Sequence, residues 1–228
     1  MQQRGLNMKY KLLLLITICT ILVLIFPQVP GTSKLTQVFR LTNEPNDVIT
    51  QGTSGTALTI NISFGDKEAT ELIKSLEAPY PLLLIDVDWA ERFPETVELI
   101  KKKNIPTGLL GHAGMEYEQD IPLLIEQIKK YETIFDSKPL WFRSMDEQFP
   151  YNLRAALWES QVNALGSTRI WEGGESPPVI EGEILSLPHH RNKRISIQDL
   201  KKLQENRDIK TLEDVLFSMT IKTKKIPK

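Results

Sequence analysis

From Ala57 onward, short apolar runs of strand character alternate with segments whose apolar residues recur every three or four positions, an order that restricts the chain to a few layered α/β folds. "ALTINIS" places Leu58, Ile60 and Ile62 on one face at period two, and "DKEATELIKSLE" then puts Ala69, Leu72, Ile73 and Leu76 on one helical stripe. "YPLLLIDVD" reads as a buried strand, and Pro94 opens a helix carrying Val97 and Ile100 before the break at Asn104 to Pro106. "TGLLG" is a short strand. "DIPLLIEQIKKYETIF" is a helix with Asp120 as N-cap and Leu124, Ile125, Ile128 and Tyr131 on its buried side. "PLWF", "STRIW" and "GEILSL" continue the strands, "YNLRAALWESQVNAL" reads as a helix throughout, and "IQDLKKLQENR" and "LEDVLFSM" carry weaker helical signals. Repeated β-then-α units predict a mainly parallel sheet or barrel whose site forms where strands run into loops, at the carboxyl edge.

The region before this alternation has a different character. Leu12 to Phe26 is a charge-free apolar run preceded by Arg4, Lys9 and Lys11, so residues 1–30 read as a signal peptide or signal anchor that leaves the rest of the chain extracytoplasmic, membrane-anchored or secreted. Fifteen residues give about 22 Å of helix, short of a ~30 Å hydrocarbon core, which leaves cleavage and anchoring both open. Residues 31–55 read as a linker rich in Pro, Thr, Asn and Gly with one strand-like piece, "TQVFRL", and residues 56–228 as the folded domain. Cys19 is the only cysteine, so the exported part has no disulfide framework. The net charge of −1, and a basic tail "IKTKKIPK" without an aromatic-flanked basic face, speak against a nucleic-acid partner.

At the carboxyl edge the residues to weigh are Asn61 and Ser63 to Asp66 after the first strand, Asp86 and Asp88 after the second, and Leu110 to Gly114, including His112, after the third. Arg143 to Glu147, including Asp146, follow the fourth strand; Trp171 to Glu175 follow the fifth and Pro188 to His190 the sixth. Taken singly, each carboxylate is more often a helix cap or a solvated loop residue, and a lone histidine is more often hydrogen-bonded than a ligand.

"ALTINISFGDKEATELIKSLE", "WAERFPETVELIKKKNIPTGLLGHAG", "KPLWFRS", "LGSTRIW" and "GEILSLPHH" occur in the order and spacing of the NodB-homology polysaccharide deacetylases. The chain resembles the sporulation-type members most, with "SFGDKEA" and "WAERFPE" the most specific parts. The resemblance implies a distorted (β/α) barrel that removes N-acetyl groups from amino-sugar polymers such as peptidoglycan. In that family a divalent metal held by imidazole and carboxylate acidifies a water, a carboxylate acts as base, an arginine orients the base, and a histidine protonates the leaving amine.

Transferred onto this chain, the base position falls on Asn61, whose amide cannot accept a proton near neutral pH. The two imidazole positions fall on Leu110 and Gly114, the acid position on Pro188 with His189 one place late, and the orienting arginine on Arg143. "WEGGESPP" stands where an Asp-rich strand end follows the family tryptophan. The resemblance therefore predicts a catalytically degenerate envelope or spore protein with no cofactor, binding glycan or an envelope protein, with Trp89, Trp141, Trp158 and Trp171 as candidates for sugar stacking. The alternative is an active metal-dependent N-deacetylase rebuilt from Asp66, Asp86, Asp88, His112, Asp146 and His189 around Mg, Mn or Ca.

Overall fold

The structure, a computed structural model, describes residues 47–65 and 67–217. The apolar leader, the strand-like piece "TQVFRL", Asp66 and the basic tail lie outside the described residues. Among those described, no helix is long and apolar enough to cross a membrane.

Among the described residues, nine strands form one sheet: β1 (Thr56–Ile62), β2 (Leu82–Ile85), β3 (Thr107–Gly111), β4 (Trp141–Ser144), β5 (Asn163–Ala164), β6 (Arg169–Ile170), β7 (Glu183–His190), β8 (Lys193–Arg194) and β9 (Ile209–Lys210). They run in the order β5-β4-β3-β2-β1-β7-β6, all parallel, with β8 added antiparallel to β7 and β9 parallel to the start of β1. The helices are α1 (Lys67–Ser75), α2 (Val87–Arg92), α3 (Pro94–Lys103), α4 (Gly114–Gln119), α5 (Ile121–Phe135), α6 (Tyr151–Glu159), α7 (Ile197–Glu205) and α8 (Leu212–Phe217). This is the expected α/β architecture, a parallel sheet curled into a half-barrel.

Period-two alternation sorts the strand residues into two layers. Leu58, Ile60 and Ile62 of β1 pack with Ala69, Leu72 and Ile73 of α1 and Leu200 and Leu203 of α7, on the helix side of the sheet. Their sequence neighbours face inward, where Ala57, Leu82, Leu84, Leu110, Trp141, Leu165 and Ile184 fill the curl and Leu212 and Val215 of α8 complete the same cluster. A third cluster joins α4, α5 and α6 to β3 and β4 through Tyr117, Leu124, Tyr131, Phe142 and Leu153. Asp120 caps α5 as its sequence predicts, accepting from Leu123 N at 3.2 Å.

Four segments depart from the sequence reading. The "YPLLLIDVD" strand stops at Ile85, because Asp86 accepts from Trp89 N at 2.7 Å and starts helix α2 instead. The turn after β3 contains a further helix, α4. The helix expected through "VNAL" ends at Glu159; Gln161 takes φ 58° and Asn163–Ala164 pairs with β4 as a strand. Finally, the end of the linker is docked on the domain. Ile49 bridges to Leu165 and Gln51 to Glu183, so this segment spans the seam between β5 and β7 that the short strands leave open. Ile49 N and Gly166 N close that bridge at 3.0 and 2.8 Å to Ala164 O and Ile49 O.

Candidate functional site

The inner face of β1, β4 and β7 carries one polar cluster at the carboxyl end of the otherwise apolar curl. Arg143, on β4, is fully buried. Its Nη1 donates to Thr59 Oγ1 at 2.7 Å, Asn61 Oδ1 at 3.0 Å and Ser186 Oγ at 3.1 Å. Nε donates to Leu165 O at 3.1 Å and Nη2 to Gly166 O at 2.7 Å. Asn61 Nδ2 in turn donates to Ser186 Oγ at 3.1 Å. The register explains the convergence: Thr59 lies opposite Ser186 and Asn61 opposite Pro188, so all point to the same side. Glu147, at φ 53°, supplies the countercharge, 3.6 Å from Arg143 Nε, and accepts from Ser167 Oγ. Burial lowers the Arg143 pKa to about 10, with Glu147 acting against the shift, so the guanidinium stays charged at neutral pH.

Arg143 thus bonds Asn61, and the group it holds there is an amide. Glu147 was among the residues weighed after the fourth strand; Thr59 and Ser186 complete the cluster and were not singled out in the sequence. The available signal was polarity, since Thr59 and Ser186 are polar inward positions in strands that are otherwise apolar.

The residues at the transferred metal positions do not fit a divalent ion. Leu110, opposite Arg143 in the β3–β4 register, belongs to the apolar inner cluster. Gly114 lies beneath the β4–α6 loop: a Cβ there would run into the Gln148 carbonyl, and Gly114 N donates to Asp146 Oδ1 at 2.9 Å. Asp146 also accepts from Gln148 N at 3.1 Å, so its carboxylate closes the loop over the place where an imidazole would stand.

The remaining candidates do not converge. Asp86 is buried at the α2 cap, and its pKa is raised first by burial and then by Asp88, against the Trp89 N–H and the charges of His112 and Arg92. Asp88 points away to Lys130 at 3.2 Å. His112 Nδ1 lies 3.1 Å from Glu116 Oε2, and its backbone N donates to Tyr117 OH at 2.7 Å. His189 cannot stand in for Pro188: it pairs with Ile62, not Asn61, and so faces the helices on the opposite side of the sheet. Among the described residues, no group of three or more His, Cys, Asp or Glu side chains is placed to hold a metal ion.

Three of the four tryptophans proposed for sugar stacking are core residues. Trp89 is fully buried, with Nε1 donating to Gly65 O at 2.7 Å; Trp141 belongs to the inner cluster and Trp171 to the α1–α7 cluster. Trp158 is half-buried. Met115, which follows β3, and Met145 and Tyr151, which follow β4, are exposed apolar side chains.

No family model and no curated protein matches the sequence. Solved structures match its fold. A CE4 family (family 4 carbohydrate esterase) pseudoenzyme from Bacillus anthracis superimposes with a TM-score of 0.61 at 15% identity, over 76% of this chain and 70% of that one. PdaA of Bacillus subtilis, a family 4 carbohydrate esterase, gives 0.61 at 10% identity over 74% and 84%. The chitin deacetylase of Colletotrichum lindemuthianum gives 0.60 at 12% over 75% and 91%. At these identities the likeness is one of fold: the chain has the distorted-barrel fold of the CE4, or NodB-type, polysaccharide deacetylases.

Proposed function

We propose that the chain is a catalytically degenerate member of this fold group that works outside the cytoplasmic membrane, in the envelope or spore, by binding an N-acetylated glycan such as peptidoglycan. One observation carries the reading: Asn61 stands at the base position with both ends of its amide engaged, Oδ1 by Arg143 and Nδ2 by Ser186. Hydrolysis needs a proton acceptor there, and an amide with both ends engaged is none. Leu110 and Gly114 at the imidazole positions and Pro188 at the acid position support it, as does a pseudoenzyme among the structures of this fold. A glycan ligand is supported by the sequence motifs and by the chitin deacetylase that shares the fold.

The competing reading, a metal-dependent N-deacetylase with a rebuilt site, needs His189 and the carboxylates to meet. His189 is on the helix side of the sheet, and Asp86, Asp88 and Asp146 are engaged with Trp89 N, Lys130 and Gly114 N.

The test pairs metal analysis of freshly purified protein with acetate release from N-acetylated chito-oligomers and retention on insoluble peptidoglycan and chitin. The expected result is retention without acetate release. Stoichiometric metal, with acetate release abolished in Asp86→Ala, would overturn the reading; no retention on either polymer would shift it to a protein partner. A mutant of the Bacillus anthracis pseudoenzyme has restored enzymatic activity. Here Asn61→Asp alone is expected to release no acetate, because it returns the base without any metal donor.

A further inference from the structure

Arg143 is bonded from two sides. Nη1 meets Thr59, Asn61 and Ser186, while Nε and Nη2 reach the carbonyls of Leu165 and Gly166 at 3.1 and 2.7 Å. Those carbonyls belong to residues 164–166, the backbone that leads from β5 towards β6. On one flank of this piece Leu165 N donates to Phe142 O of β4 at 2.8 Å. On the other flank the partner is the stretch 48–51. Ile49 N donates to Ala164 O and Gly166 N to Ile49 O, and a Cβ on Gly166 would stand 3.0 Å from Thr50 Cγ2 and 3.4 Å from Val48 Cγ1. A single layer of backbone therefore separates the guanidinium from residues 48–51.

The two flanks differ in strength. Residues 164–166 are buried, as is all of β4, whereas none of residues 47–54 is. Val48 and Ile49 are partly buried apolar anchors. The rest of the stretch is joined by hydrogen bonds: Thr168 Oγ1 to Thr50 O, Gln51 Nε2 to Glu181 O, Gly52 N to Gly182 O, and Thr53 N and Oγ1 to Val215 O. A segment with little buried apolar surface and exposed hydrogen bonds opens at a lower free energy than the sheet it lies on. Water can then take its place at Ala164 O and Gly166 N, so those groups are not left unpaired. What opening removes is the flank that keeps 164–166 in place against Arg143.

We propose that residues 48–51 are a positioning strap for Arg143, a conformational device with two states. Docked, the strap keeps the Leu165 and Gly166 carbonyls on Nε and Nη2. Undocked, residues 164–166 loosen, the guanidinium is left with its Nη1 bonds and the Glu147 charge, and Asn61 loses its fixed orientation. The strap thereby sets the state of the inner polar cluster from outside that cluster, whether or not the protein binds a glycan.

Hydrogen exchange followed by NMR on the full chain tests this without any substitution. Ile49 N–H, Gly166 N–H and Arg143 Nε–H are expected to share one protection factor, at least tenfold below that of the β1 amides. An Arg143 Nε–H as protected as β1, beside fast exchange at Ile49 and Gly166, would overturn the proposal, because the strap would then open without loosening the guanidinium. Ile49→Pro, which deletes the N–H that reaches Ala164 O, gives a second reading. Protection at Gly166 N–H and Arg143 Nε–H should fall at least tenfold while the amides of β1 and α1 keep theirs. A loss spread evenly over the molecule would make residues 48–51 an ordinary part of the fold and would equally overturn it.

Discussion

Arg143 is where a single side chain does most to fix the inner face. It bonds two hydroxyls, one amide and two carbonyls, so its removal strands several buried partners at once. Arg143→Ala is expected to cost about 3–5 kcal/mol in urea denaturation, the range for breaking a buried charged network by deleting one partner. Asp86 makes the opposite case. Its raised pKa means that ionised Asp86 disfavours the fold: its stabilising contribution is full below the unfolded carboxyl pKa and is lost as pH rises through the folded value. Asp86→Asn keeps an N-cap and removes the charge, so at pH 7 its melting temperature is expected to equal or exceed that of the parent, whereas Asp86→Ala loses roughly 1 kcal/mol with the cap. The Arg143–Asn61 contact was legible from motif order. The face on which His189 lies was also legible in principle, since a displacement of one residue along a strand always reverses the side.

The helices with a long amphipathic stripe, α1, α3 and α5, were readable because burial on one face imposes the 3.6-residue period. The six-residue α2 and α4 were not. Helices that short do not complete a stripe: α2 is opened by a local cap, Asp86 on Trp89 N, and α4 is met by a contact from another loop, Asp146 on Gly114 N. The closure over Gly114 is itself testable. Gly114→Ala forces a Cβ against the Gln148 carbonyl and is expected to destabilise by about 1–3 kcal/mol, with amide shifts concentrated at residues 144–149 in a heteronuclear NMR spectrum. A variant of unchanged stability and spectrum would mean that the loop does not sit on this position.

At the scale of the whole molecule, acid sensitivity should have an identifiable source. Burial depresses the His189 pKa, with Arg194 and His190 adding to the shift and Glu68 and the Ile195 backbone opposing it. Protonation is therefore easier in the unfolded chain. Stability is intact above the unfolded imidazole pKa of about 6.5 and is lost as pH falls through the lower folded value. Melting temperature is expected to decline on acidification below pH ~6.5, and His189→Phe should flatten that limb relative to its own neutral value. The overall α/β architecture was legible because alternating periods leave few ways to bury every face. The role of residues 49–51 was not: two bridges contributed from a polar, turn-rich stretch carry no periodic signal.

That stretch also decides how the molecule bears a load. The described chain enters the sheet through the Ile49 and Gln51 bridges, so a pull applied at residue 47 acts on the join between β5 and β7. A barrel fastened in this way gives at its fastening first, and tension along the chain would unbutton the wall and wet the apolar interior behind it.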